Sequence, residues 1–383
     1  MRSHTCFAFV LGLISACGSP DEGFVGEVTA PVVYGEDDRV EVYNHPSAEL
    51  RGIAEQSIVA LIPSFRISRE PSGTYSLFTN SLKDSRGLCE GELFGEQPTA
   101  ATCSGVLIDD DLVLTAGHCI DDHTPCDSYS YVFNYHYAQP NVLAAIRDED
   151  VYTCRRVVSQ GSAVSGSFTP DFSVIQLDRP VQGDQTPVVI RPAKPLADLE
   201  SLSMIGYGSG LPGKIDDGGS VADPREAQLD FFVANLDAFQ GHSGSAIFDS
   251  QNRLAGILIG GRAPDYVTLD GEDCARVSVY ENSQAGEIVH NVAPIVAALC
   301  EDGWQAEDLC DPDACGGEPC GSAPLPSEGG GVFAPPSSGC NASTGTTGTW
   351  SGWIGLLLFV VARRFKPRVA GPPRVLLERA SSR

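Results

Sequence analysis

Three short segments of the chain carry side chains able to do nucleophilic chemistry. Thr115-Ala116-Gly117-His118-Cys119 offers an imidazole just after an apolar strand, and Asp171-Phe172-Ser173-Val174-Ile175-Gln176-Leu177 offers a carboxylate at the mouth of another. Gly241-His242-Ser243-Gly244-Ser245 offers a hydroxyl in a glycine-bearing turn. Peptide hydrolysis by serine needs a base within hydrogen-bond reach of the hydroxyl, a buried acid that holds the base, and backbone N–H groups directed at the developing oxyanion. The glycines permit a tight turn that brings the N–H groups of Gly241 and Ser243 into one concavity. A serine in a glycine-bearing turn also marks α/β-hydrolases. In those the nucleophile precedes the acid and the histidine, and the sheet needs alternating helices that this sequence does not offer.

The elements that must position these groups read as short strands. Apolar and β-branched runs fall at Ser57 to Ile62, Cys103 to Ile108, Leu112 to Thr115, Tyr152 to Val158 and Phe172 to Leu177. Five more fall at Leu202 to Tyr207, Leu229 to Asn235, Ser245 to Phe248, Leu254 to Ile259 and Arg276 to Tyr280. Glycine, aspartate and proline turns between them indicate an all-β barrel or sandwich. One helix is predicted from Asn291 to Leu299, with Asn291 as N-cap, Pro294 in the first turn, and Val292, Ile295, Val296 and Leu299 on one face.

Together the three segments, in the order His, Asp, Ser, resemble the trypsin-like (chymotrypsin-fold) serine peptidases over about Val32 to Leu299. The resemblance implies an all-β fold of two six-stranded β-barrels with a C-terminal helix. It makes His118 the general base, Asp171 its orienting acid, Ser243 the nucleophile, and the N–H groups of Gly241 and Ser243 the oxyanion hole. It also implies a disulfide between Cys103 and Cys119, and no metal or organic cofactor. Tyr34-Gly35-Glu36-Asp37-Asp38-Arg39, Ser209-Gly210-Leu211-Pro212 and Gly244-Ser245 are similar to the bacterial V8-like branch, which includes glutamyl endopeptidases. Animal trypsins carry an aspartate just before the nucleophile, which receives the α-amine freed on activation; here that position is His242, so that switch is expected to be absent.

The substrate pocket is expected around Asp237, Ala238, Leu258, Ile259 and Gly260. Asp237 lies six residues before Ser243, where trypsins hold the carboxylate that pairs with substrate Arg or Lys, and this favours cleavage after basic residues. The same aspartate also reads as a turn-forming or structural acid. Leu258 stands where glutamyl endopeptidases carry a histidine, which argues against a glutamate pocket. Ile259 in place of an aromatic residue suits a wider groove.

Composition bounds the setting. The 383 residues hold 25 Lys and Arg against 50 Asp and Glu, a formal charge of -25, which excludes nucleic acid as a partner and leaves protein or peptide substrates. Residues 1–16 read as a signal peptide, and Leu13-Ile14-Ser15-Ala16-Cys17 resembles a bacterial lipobox with lipidation at Cys17; an ordinary cleavage between Ala16 and Ser19 is the alternative. Residues 17–50 are a mature N-terminal segment or propeptide, 51–300 the peptidase domain, and 301–340 a Cys-rich, then Gly/Pro/Ser-rich and disordered stalk. Residues 341–383 hold the short hydrophobic run Trp350 to Ala362 and a basic cluster. This end is similar to the myxobacterial C-terminal sorting tail, with processing at Gly339-Cys340 and anchoring through Cys340; a plain membrane anchor is the alternative. Setting aside Cys6, Cys17 and Cys340, ten cysteines remain of 13, an even number that fits disulfides in an exported chain. The expected protein is a surface-anchored endopeptidase with a monomeric catalytic domain. The rival reading is a silent binding or adhesion module on the same scaffold, and a third is a processing enzyme with one partner protein, signalled by the polar insertion Arg66 to Gln97, whose ordinary reading is a surface loop.

Overall fold

The computed structural model describes residues 33–161, 169–305 and 307–310. The expected signal peptide with Cys17, the stalk, Cys340 and the hydrophobic C-terminal run lie outside the described residues. Strands β1 (Val33–Tyr34) and β2 (Val40–Glu41) come first, followed by helix α1 (Ala48–Gln56), whose N-cap Ser47 accepts the Leu50 N–H through its side chain.

Six strands then build the first barrel: β3 (Ile58–Pro63), β4 (Cys103–Asp109), β5 (Leu112–Thr115), β6 (Tyr129–Val132), β7 (Val151–Gln160) and β8 (Ser173–Leu177). Their order is β7-β8-β5-β4-β3-β6, closed by β6 on β7, with every pairing antiparallel. Closure removes the unpaired edges that an open sheet exposes. Ile58, Leu61, Leu107, Val113, Tyr131, Tyr152 and Val174 are buried in its core.

The second barrel uses β9 (Ser201–Gly206), β10 (Lys214–Asp223), β11 (Phe231–Ala234), β12 (Ala246–Phe248) and β13 (Leu254–Gly260). After the outlying β14 (Val279–Tyr280), β15 (Glu287–Asn291) completes the ring β9-β12-β13-β15-β11-β10, closed by β10 on β9. Met204, Phe232, Leu236, Ile247, Leu258 and Val289 form its apolar centre. Helix α2 (Val292–Glu301) follows, then the short α3 (Glu307–Cys310). Two closed six-stranded barrels with a C-terminal helix are the chymotrypsin-like architecture the sequence implied.

The structure adjusts several expectations. The boundary at residue 51 falls inside α1, and the preceding segment is part of the fold: β1 pairs in parallel with β14, and β2 pairs with the start of β10. At the other end the folded unit runs past residue 300, because Cys300 is disulfide-bonded to Cys310, Leu309 is buried, and Trp304 Nε1 donates to Asp109 at 3.1 Å. Asn291 sits at the N-cap of α2 but its side chain makes no capping bond, while Val292, Ile295, Val296 and Leu299 are buried as the periodicity predicts. The run Arg276 to Tyr280 is not a barrel strand; it splits into Arg276–Val277, paired with Tyr266–Val267, and β14. The insertion from Arg66 is anchored rather than loose, since Leu82 and Leu88 are buried against Leu211.

Four disulfides occur among the described residues: Cys89–Cys274, Cys103–Cys119, Cys126–Cys154 and Cys300–Cys310. The Cys103–Cys119 bridge is the one the resemblance implied.

Candidate active site

Strand register brings the imidazole and the carboxylate to one edge of the first barrel. Thr115 at the end of β5 pairs with Ser173 at the start of β8. The chain leaving Thr115 toward His118 and the chain entering Ser173 from Asp171 therefore meet. His118 lies in a single 3-10 turn, Gly117–Cys119, tied to β4 by the Cys103–Cys119 disulfide. Asp171 grips this turn twice: one carboxylate oxygen accepts the His118 N–H at 2.8 Å and the other lies 2.7 Å from His118 Nδ1. That contact fixes the ring orientation and gives Nδ1 the proton, leaving Nε2 as acceptor. Nε2 is 2.7 Å from Ser243 Oγ, which comes from the second barrel's loop before β12. The sequence reasoning expected a buried acid; Asp171 is 21% exposed and His118 39%, so the pair opens to solvent.

The turn carrying Ser243 is held from both barrels. Ser104 on β4 receives the Tyr207 N–H on its Oγ at 2.9 Å and donates that hydroxyl to the Gly241 carbonyl at 2.9 Å, while its own N–H donates to the Ser243 carbonyl at 2.8 Å. Sequence reasoning missed this residue's part in the site; the signal was a buried hydroxyl in an otherwise apolar strand. Gly241 has φ +105, and a Cβ there would lie 2.8 Å from the Tyr207 carbonyl, so only glycine fits the turn. The N–H groups of Gly241 and Ser243 donate to no acceptor among the described residues, which leaves both available to an oxyanion. His242 between them is buried, and burial drives its imidazole well below the ordinary histidine range, so it is neutral. Its Nδ1 accepts the Phe239 N–H at 2.9 Å. The position before Ser243 thus holds a neutral acceptor bonded locally rather than a carboxylate awaiting an amine.

Asp237 does not face a substrate. It is 2% exposed, and its two carboxylate oxygens accept the N–H groups of Tyr34 and Asp38, each at 2.8 Å. Its own N–H donates to Asp216 at 2.8 Å. Burial, and next the neighbouring Asp216, raise the carboxyl of Asp237, and burial raises that of Asp216. The structural-acid reading of Asp237 is therefore the one the geometry supports, and the expected pairing with a basic substrate loses its basis. Asp38, Asp216 and Asp237 draw together, but the oxygens of the two buried members are already taken by backbone N–H groups. Of the other pocket candidates, Ala238 (0% exposed) and Leu258 (1%) pack into the core of the second barrel, Ile259 is 6% exposed, and Gly260 is buried.

Residues 103–257 match the family model described as the trypsin-like peptidase domain, a span that contains His118, Asp171 and Ser243. No curated protein matches the chain. Among solved structures, a Glu endopeptidase in complex with MPD is similar at 16% identity and a TM-score of 0.42, covering 71% of this chain and 97% of that one. Kallikrein-related peptidase 10 is similar at 19% identity and a TM-score of 0.34, over 53% of this chain and 89% of that one.

Proposed function

We propose, from the trypsin-like peptidase domain that residues 103–257 match, that the chain is a serine endopeptidase acting through His118, Asp171 and Ser243. The observation that carries this reading is the unbroken relay from Asp171 through His118 to Ser243 Oγ, with both contacts at 2.7 Å. Ser243 Oγ attacks the scissile carbonyl while His118 Nε2 takes its proton; the carbon becomes tetrahedral and its oxygen takes the charge. The N–H groups of Gly241 and Ser243 stabilise that oxygen. His118 then gives the proton to the leaving amine, and water repeats the sequence on the acyl-enzyme with Ser243 as leaving group. Asp171 carries no proton through the cycle; it holds the ring and stabilises the imidazolium.

With Asp237 fully engaged by the N-terminal segment, specificity for basic residues is not part of this proposal. The test is cleavage of a positional peptide library by the full chain and its Ser243→Ala variant. Hydrolysis that falls by about 10⁶ in the variant supports the reading. Hydrolysis that persists in Ser243→Ala sinks it.

We also propose that the protein is exported and held at the cell surface by Cys17 or Cys340. Four disulfides support an oxidising compartment. Mass spectrometry of the native protein tests this: a lipid on neither cysteine would end the proposal.

A further inference from the structure

If no carboxylate precedes the nucleophile, something else must hold the oxyanion turn. The peptide between Gln240 and Gly241 decides the matter, because in a trans peptide the C=O and N–H groups point in opposite directions. The Gln240 carbonyl accepts the Ser209 N–H at 2.6 Å, so the Gly241 N–H is turned the other way, out of that contact. Gln240 is held at two further points. Its own N–H donates to Asp265 Oδ2 at 2.9 Å, and its side-chain Oε1 accepts from Arg86 at 2.8 Å. Asp265 is only 8% exposed, and its second oxygen, Oδ1, is buried with no hydrogen-bond partner among the described residues. A carboxylate buried at that cost for one backbone contact needs a reason.

The two loops that supply these groups are joined. Arg86 lies on the insertion before β4 and Asp265 on the loop after β13, and the Cys89–Cys274 disulfide links them, with the Cys89 N–H donating to the Ala275 carbonyl at 2.9 Å. Tyr266, beside Asp265, shares a 2.6 Å hydroxyl contact with Ser209, the residue that holds the other side of Gln240.

We infer that Asp265 is a positioning residue for the hydrolysis: its carboxylate holds the Gln240 N–H and so keeps the Gly241 N–H turned toward the reacting oxygen. The inference rests on the serine-peptidase reading above and assigns to a distant loop the task that an aspartate beside the nucleophile performs in trypsins. The charged and titratable groups that face Asp265 are Arg86, Arg39 and Tyr266. Burial raises its carboxyl to about 7 against the pull of the Gln240 N–H and the two arginines. As the anion it is a strong acceptor; protonated, it is no better than a neutral amide.

The experiment compares the full chain with Asp265→Asn and Asp265→Ala, using one peptide substrate from pH 5 to 9. The expected result is a kcat for Asp265→Asn about tenfold below wild type at pH 8.5, with KM unchanged. That ratio should shrink toward one below about pH 6, where the wild-type side chain is also neutral. Affinity for a peptide aldehyde, whose hemiacetal oxygen sits where the oxyanion forms, falls by the same factor, and Asp265→Ala is slower than wild type at every pH. A ratio that does not change with pH overturns the inference, as does a folded Asp265→Asn within twofold of wild type at pH 8.5. If the wild type itself shows no Ser243-dependent hydrolysis, the proposed function fails and this inference falls with it.

Discussion

Ser104 Oγ lies 2.9 Å from the Gly241 carbonyl, a contact across 137 residues that fastens the Gly241–Ser245 turn of the second barrel to a strand of the first. The same hydroxyl accepts the Tyr207 N–H at 2.9 Å. Ser104→Ala leaves a buried donor and a buried acceptor without partners, so the chain loses about 1–3 kcal/mol of stability. Urea unfolding measures that loss, and kcat should fall with KM nearly unchanged because the disturbed groups act on the transition state.

Asp237 secures the N-terminal segment, since the Tyr34 and Asp38 N–H groups both donate to it. Asp237→Ala should release residues 33–38, read as faster amide hydrogen exchange there, without altering the choice of residue before the cleaved bond. A shift away from basic residues in the variant would restore the pocket role that the burial of Asp237 argues against.

The Cys103–Cys119 disulfide closes a loop of 16 residues on which His118 sits. Replacing both cysteines with serine should cost about 3 kcal/mol and slow hydrolysis as the turn loosens. Thermal unfolding and initial rates of the double variant check the two effects separately.

Stability should fall as pH rises from 6.5 to 8. Asp265 and Glu287 are each raised to about 7 by burial, and burial also raises Asp216 and Asp237. In this window the native state keeps protons that the unfolded chain has lost, so the unfolding free energy decreases with pH. The buried histidines His136 and His290, lowered to about 4 by burial, act in the opposite sense only below the ordinary histidine range. Urea titrations at pH 6.5 and 8 test the sign, and Glu287→Gln should flatten the slope.

The groups of the relay were legible because each sits beside a strand whose apolar character is plain, such as Leu112–Thr115 and Ser173–Leu177. Three barrel strands were not legible. Tyr129–Val132 is four residues long, Lys214–Asp223 contains three aspartates and a glycine pair, and Glu287–Asn291 opens on a buried glutamate. Aspartate, glycine and glutamate are depleted in strands in general, and pairing with neighbours distant in sequence makes strands of the last two runs, while the first is too short to stand out. The two readings of Asp237 could not be separated in sequence for a related reason: its spacing from Ser243 is visible there, but its partners Tyr34 and Asp38 lie about two hundred residues away. Ser104 and Asp265 were hidden because their contacts, to Gly241 and Tyr207 for the first and to Gln240 for the second, exist only once two barrels and two loops have met.

The proposed hydrolysis requires Ser243 to be an activated nucleophile. The most direct measurement is labelling of the full chain with a fluorophosphonate at pH 8, followed by peptide mapping, beside His118→Ala. An activated Ser243 takes one phosphonyl group in the wild type, and labelling slows by orders of magnitude when His118 is removed. An unlabelled Ser243 in the folded wild type, or equal labelling in the His118→Ala variant, would contradict it.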